Sequence, residues 1–251
     1  MIIILVILFA ALVVYGFFFI KNKIVSQIVG LVSMLLLALS MVALAYHDTN
    51  NWGMKEVTTT TTSQIYTAGE SSTPYGVMIK NPVGTDAANY MFMYRTSPSA
   101  QMTAHFGTKS WPVNDAKTGL QSYMKDNVVE VSKKSSNYSL VSTDKAQSVT
   151  KTTRLEFSSK LMEALFSVGG EAGTLVKQTT TVEVPKDTWL VLTMDQSTKL
   201  SKEAPQMQAQ MKAELAADPA KAMQMQELQK SDPAAYAKLQ VTQIKQLLGI
   251  K

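Results

Sequence analysis

The chain has 251 residues, no cysteine, two histidines and a formal charge of +5 from 24 Lys and Arg against 19 Asp and Glu. Without cysteine there are no disulfides, no thiolate metal sites, no cysteine nucleophile and no lipid-modified cysteine. The positive charge is too small, and its lysines too scattered, to specify a nucleic-acid surface.

Residues 1–20 are apolar, Lys21-Asn22-Lys23 interrupts them, and residues 24–46 are apolar again apart from Ser26, Gln27, Ser33 and Ser40. A bilayer core of ~30 Å asks for about 20 apolar residues of helix, so residues 1–46 are predicted as a transmembrane hairpin. Lys21 and Lys23 are the only basic residues before Lys55. They place the loop in the cytoplasm and both termini outside, and Tyr46 and Trp52 suit the outer interface. Ala43-Leu44-Ala45 resembles a signal-peptide cleavage site. The first run has no basic n-region, however, and the second is long for an h-region, so the hairpin reads as a retained anchor. Ser26 and Gly30 make a small-residue face that Gly16 can meet across the pair.

Residues 47–53 read as a juxtamembrane linker, and residues 54–200 as an extracytoplasmic β-rich domain. Thr58 to Thr62 would suit either an extended stalk or a strand, since Thr is β-branched and Val57 and Ile65 are in phase. Residues 148–157 and 178–184 repeat the Thr-rich composition. Three such strands are expected side by side in one antiparallel sheet with a Thr-lined, solvated face. Residues 75–80 and 90–95 predict a strand pair around the turn-rich loop Asn81-Pro82-Val83-Gly84-Thr85-Asp86. Tyr90, Phe92 and Tyr94 take one face of the second strand and Met91 and Met93 the other, so it is expected to be covered on both sides. The same aromatic triad would also serve as a stacking platform for a sugar or a nucleobase.

Residues 97–126 predict a helical insertion. Ser97-Pro98 starts it, and Asn114 caps a second short helix bearing Leu120, Tyr123 and Met124. Strands are expected at 128–131 and 138–141. A short helix carries Leu161, Met162, Leu165 and Phe166 and is stopped by Gly169-Gly170. Residues 188–194 are apolar on both faces and predict a central strand.

From residue 201 Gln, Met, Ala and Lys dominate, all good helix formers. Pro205, Pro219 and Pro233 recur every 14 residues, the last two preceded by Asp218 and Asp232. Asp as N-cap with Pro in the first turn is a start signal, so three successive helices are expected in the tail, 201–251. Ala237, Val241, Ile244 and Leu248 form a stripe on the last, able to pack on its own domain or on a protein partner.

Catalytic signatures are sparse. His47 sits at the membrane edge and His105 stands alone in the body, with no G-x-S-x-G and no cluster of zinc ligands. Gly169-Gly170-Glu171-Ala172-Gly173 lacks the Lys-Ser/Thr of a P-loop. No catalytic, cofactor-binding or metal-ligating residue is therefore assigned, and no cofactor is expected. The spacing S-x-x-K occurs at Ser122–Lys125, Ser142–Lys145 and Ser148–Lys151. Only Ser122–Lys125 falls on a predicted helix, where positions i and i+3 share a face as a Ser/Lys dyad needs. Arg95 and Arg154 are expected to pair with a carboxylate such as Glu130, Glu156 or Glu183, though either would also grip an anionic ligand.

The Lys21-Asn22-Lys23 loop, the Tyr94-Arg95-Thr96 strand end and the run Val184-Pro185-Lys186-Asp187-Thr188-Trp189-Leu190-Val191-Leu192-Thr193 carry a resemblance. The order of features resembles an uncharacterised domain-of-unknown-function family of two-span membrane proteins of lactic-acid bacteria, over most of the chain up to residue 200. The resemblance implies a Gram-positive envelope setting. No activity is established for that family, so no site residue is carried over.

The expected fold class is thus a membrane-anchored α+β protein, with a two-helix transmembrane hairpin, a mainly antiparallel β extracytoplasmic domain and a helical C-terminal tail. The expected function is a non-enzymatic envelope protein that binds or scaffolds a partner. It would be an accessory component of an envelope complex or a binder of wall polymer, and a Ser/Lys envelope hydrolase is the alternative. The expected partners are the lipid bilayer along residues 1–46 and a protein at the tail, with no nucleic acid.

Overall fold

A computed structural model describes residues 1–70, 72–84 and 89–250. Helices α1 (Ile2–Phe18) and α2 (Lys23–Asn50) lead into strand β1 (Met54–Gln64). Strands β2 (Gly76–Pro82), β3 (Tyr90–Tyr94), β4 (Thr103–Phe106) and β5 (Lys109–Pro112) follow. Helices α3 (Ala116–Asp126) and α4 (Val128–Ser132) precede β6 (Lys134–Val141) and β7 (Gln147–Phe157). Helix α5 (Lys160–Phe166) separates β7 from β8 (Leu175–Pro185) and β9 (Trp189–Thr193). Helices α6 (Met194–Ala217), α7 (Pro219–Ser231) and α8 (Pro233–Leu248) close the chain. Two compact units divide it: Met1–Thr58 with Thr153–Val176, and Thr59–Thr152 with Lys177–Lys251.

In the first unit, α2 starts where the Asn22 side chain accepts the N–H groups of Ile24 and Val25, two of the donors a helix start leaves open. The Ser26 hydroxyl donates to the Gly16 carbonyl at 2.8 Å, and a Cβ on Gly16 would lie 2.8 Å from the Gly30 nitrogen. The small-residue face read from Gly16, Ser26 and Gly30 is therefore where the two backbones touch. Helix α2, with 28 residues and a mean hydropathy of 2.6 over its most apolar window, is long and apolar enough to cross a membrane. Helix α1 is apolar but has only 17 residues. After Phe157 the short α5 forms as predicted, and Gly170 (φ 73) takes the left-handed turn that follows it. Of the predicted α5 stripe, Phe166 is buried and Leu161 is exposed.

One sheet has the order β1-β7-β8-β6 and the other β5-β4-β3-β2-β9. The three Thr-rich stretches are β1, β7 and β8, consecutive neighbours in the first sheet. Cross-strand contacts run antiparallel, Gln178 bonding Thr152 while Thr180 bonds Thr150. The sheets are nonetheless mixed rather than simply antiparallel, because β6 pairs with β8, and β2 with β9, in parallel. Each parallel pair is joined by a long crossover, which returns the chain to the same end of the sheet.

In the second unit the centre of the five-stranded sheet is covered on both faces. Val77, Ile79, Met91, Met93, Leu190 and Leu192 face α8 through Val241 and Ile244. Met78, Phe92 and Tyr94 face Ile65, Ala146, Val182 and Val184. The predicted split of β3 into an aromatic and a Met face is thus the split between two core layers. Strand β9 lies at the edge of its sheet, not in the centre. It is apolar on both sides because Leu190 and Leu192 enter one layer while Trp189 and Val191 border the other.

Other segments depart from the sequence pattern. Residues 97–112 carry a turn and the β4–β5 hairpin, not a helix starting at Pro98. The later helix, α3, forms with Leu120 buried, but a 3-10 turn at Val113–Asp115 opens it instead of an Asn114 cap. Residues 128–131 are helical rather than a strand. Val128 and Val129 are exposed, and Glu130 reaches Lys134 at the start of β6. Asn81 and Pro82 end β2, while Thr85 and Asp86 of the expected loop lie outside the described residues.

The tail begins earlier than residue 201. Thr193 and Gln196 form a reciprocal capping box that starts α6, which runs on through Pro205. Pro205 lacks the preceding Asp that Pro219 and Pro233 have, and those two do open α7 and α8 with Asp218 and Asp232 as caps. The α8 stripe is spent in its own domain: Ala237, Val241 and Ile244 are buried.

Candidate functional site

Where the apolar layer between the two sheets of the second unit ends, a cleft of about 430 Å³ opens with hydroxyls on its walls. Strand periodicity explains the lining, since residues two apart share a face. Thr61 and Ser63 come from β1, and Ser148, Thr150 and Thr152 from β7. Gln64 and Ile65 at the end of β1, Tyr94 and Thr96 at the end of β3, and His105, Gly107 and Thr108 around the β4–β5 hairpin complete the cleft.

Beside it, the Gln178 amide donates to Thr152 Oγ1 at 3.0 Å. Gln178 is only 4% exposed, and its Oε1 has no protein partner. Gly107 (φ 59) sits against that oxygen, and a Cβ there would lie 3.0 Å from it in a backbone conformation that other residues resist. Tyr94 and His105 stack in parallel, their ring centroids 4.0 Å apart. Burial pushes the Tyr94 phenol up, against a hydrogen bond from Ser148. Burial also lowers the His105 pKa to about 4, against a bond to the Tyr94 backbone, so the imidazole is neutral at neutral pH. Its Nε2 lies 2.8 Å from Thr103 Oγ1. No charged side chain is among the described residues lining the cleft. Hydroxyls both donate and accept, so the surface is matched to a neutral, polar ligand and offers no cation to an anionic one.

The residues weighed from sequence fall elsewhere. Ser122 and Lys125 are both exposed on α3, and the Ser122 hydroxyl donates to Asp126 at 3.3 Å. Ser142 and Lys145 are likewise exposed. Ser148 enters the cleft, but Lys151 is exposed. Arg154 donates to the Gly173 carbonyl rather than to a carboxylate. Glu130 pairs with Lys134, whose ammonium holds its carboxyl below the usual range. Phe92 and Tyr94 are buried, so the triad packs instead of presenting an open platform. The cleft itself was visible in sequence only as alternating Thr and Ser. Nothing local indicated that this face turns inward where the apolar layer stops.

In the first unit, His47 at the end of α2 is buried and stacks on Phe166 with ring centroids 4.1 Å apart. Its Nδ1 meets the Trp52 carbonyl, and its Nε2 lies 3.3 Å from Glu171 Oε2. The carbonyl is an acceptor only, so in this contact Nδ1 is the donor. No group of three or more potential metal ligands occurs among the described residues.

Residues 22–200 match the family described as a domain of unknown function (DUF4811). No curated protein and no solved structure matches the chain. The matched residues run from the Asn22 cap of α2, through both sheets, to Leu200 of α6, which lies in the core. Matched over more than two thirds of its length, the chain belongs to the DUF4811 family.

Proposed function

We propose that this is a membrane-anchored binding protein of the bacterial envelope, and that its uncharged cleft takes a neutral, hydroxyl-rich ligand such as a cell-wall polymer. The cleft carries the reading: its walls are hydroxyls that both donate and accept, with no charged side chain among the described lining residues. Helices α1 and α2 form a two-span hairpin with Lys21 and Lys23 inside and the β domain outside. Leu31, Leu35 and Leu39 are 60%, 61% and 56% exposed along α2, a surface that lipid covers and water does not. Helix α1, at 17 residues, is at the short end of the ~17–25 residues that span a bilayer. The accessory-subunit version has lost the α8 stripe as its contact surface, because that stripe lies in the domain core. The Ser/Lys hydrolase alternative rests on Ser122 and Lys125, which are solvated.

Two experiments test it. The full chain in nanodiscs is sedimented with insoluble wall polymer, beside a Thr61→Val, Ser63→Ala variant whose changed residues are exposed and leave the core alone. Retention is expected to fall roughly two- to tenfold for each hydroxyl that binds. Unchanged retention, or none by either protein, overturns the cleft assignment. For the anchor, single cysteines at Lys21 and Lys145 are probed on intact cells with an impermeant maleimide, against a cysteine-free background. Labelling at 145 but not at 21 is expected, and the reverse pattern removes the topology.

A further inference from the structure

We infer that the first unit binds one membrane amphiphile with a cationic headgroup, in a groove where the start of α1 meets the end of α2. The inference rests on the anchor reading above and is independent of the cleft. The groove has a volume of about 530 Å³, within the ~300–1,000 Å³ of ligand clefts. Ile2, Ile3, Val6, Met41, Leu44 and Ala45 give it an apolar floor along the helix pair. His47, Asp48 and Glu171 stand at one end.

Phe166, Val168 and Gly169 complete the lining, so the groove is walled by a second segment besides the helix pair. At the rim, Glu171 Oε2 lies 3.3 Å from His47 Nε2, and its other oxygen lies close to Gly169, where a Cβ would fall 2.1 Å from it. Any residue but glycine at 169 displaces that carboxylate. Asp48 and Glu171 place two carboxylates at this end against one fixed cation, the Met1 ammonium, which is engaged by the Leu165 carbonyl at 2.9 Å, and no Lys or Arg lines the groove. An acyl chain fits the floor, and an amine fits the rim, worth roughly fivefold in preference for one paired charge.

The test uses the full chain in phosphatidylglycerol nanodiscs with a trace of photoreactive lipid, its acyl chain carrying a diazirine. One probe has a lysyl-phosphatidylglycerol headgroup and the other plain phosphatidylglycerol. The cationic probe is expected to label peptides holding Val6 and Leu44 roughly fivefold more than the anionic probe. Asp48→Asn with Glu171→Gln should bring the two to parity, and Asp48→Asn alone, at an exposed side chain, should halve the difference or more. Leu44→Trp should fill the floor and lower labelling at Val6 with both probes, while Leu35→Trp, outside the groove, should not. Equal labelling by both probes in the unaltered chain, or labelling spread evenly along both helices, overturns the groove. Absence of labelling anywhere on α2 overturns the anchor instead.

Discussion

Gly76 shows how closely single positions are fitted. It pairs with Trp189 across the parallel β2–β9 ladder, and a Cβ would lie 2.2 Å from the indole ring. Gly76→Ala is expected to push Trp189 off the sheet and destabilise the chain by about 1–3 kcal/mol, the usual cost of overpacking, read from the urea midpoint. His105 gives a second expectation, with a sign. Burial lowers its pKa from 6.5 to about 4, so the unfolded chain binds the proton first. The stability this contributes is complete above pH 6.5, is lost as pH falls toward 4, and is flat below. The loss is at most about 3.5 kcal/mol, at ~1.4 kcal/mol per unit. Denaturation midpoints measured across that window should fall for the unaltered chain and fall markedly less for His105→Gln. At this scale the sequence is least informative. His105 is one histidine among threonines, and only its stacking on Tyr94 and its burial give it an unusual proton affinity.

Among the elements, the helices opened by Asp-Pro were readable, while Ser97-Pro98 and Asn114 were not true starts. Asp218-Pro219 and Asp232-Pro233 open α7 and α8 where the rule places them. The Thr-rich strands were also readable as neighbours, because β-branching and alternation are local properties. The failures have a common cause. Residues 128–131 look like a strand by composition, yet among the described residues no strand pairs with them, and they form the short α4, whose Glu130 pairs with Lys134 of β6. The β9 pattern suggested a central strand, because helices covering an edge look the same in sequence as strands on both sides. Two expectations belong here. Ile244 is fully buried against the β2–β9 face, and Ile244→Ala should cost about 2–5 kcal/mol in a denaturation series. The α1–α2 pair depends on backbone contact at Gly16 and Gly30. Cysteines at Val6 and Met41, which line one groove, should crosslink with a short bifunctional reagent, and Gly16→Leu should abolish the crosslink.

For the whole molecule, the tail is structural. Deleting residues 201–251 removes Val241 and Ile244 from the core, so the truncated chain is expected to aggregate, seen as loss of the monomer peak in detergent. A loss of partner binding on such a truncation would therefore say nothing about where a partner sits. Alternation and apolar length made the α+β class readable, with its apolar N-terminal helix and closing helices. The meeting of β2 with β9, more than a hundred residues apart in the chain, was not readable, because no local pattern records a long-range parallel pairing.

The position of α8 also bears on biosynthesis. Every strand precedes α8 in the chain, yet the apolar face made by Val77, Ile79, Leu190 and Leu192 is covered by it. The sheets therefore leave the ribosome before their cover exists. Until residues 233–248 emerge, the nascent body carries an open oily surface, which makes it a client for folding helpers during synthesis.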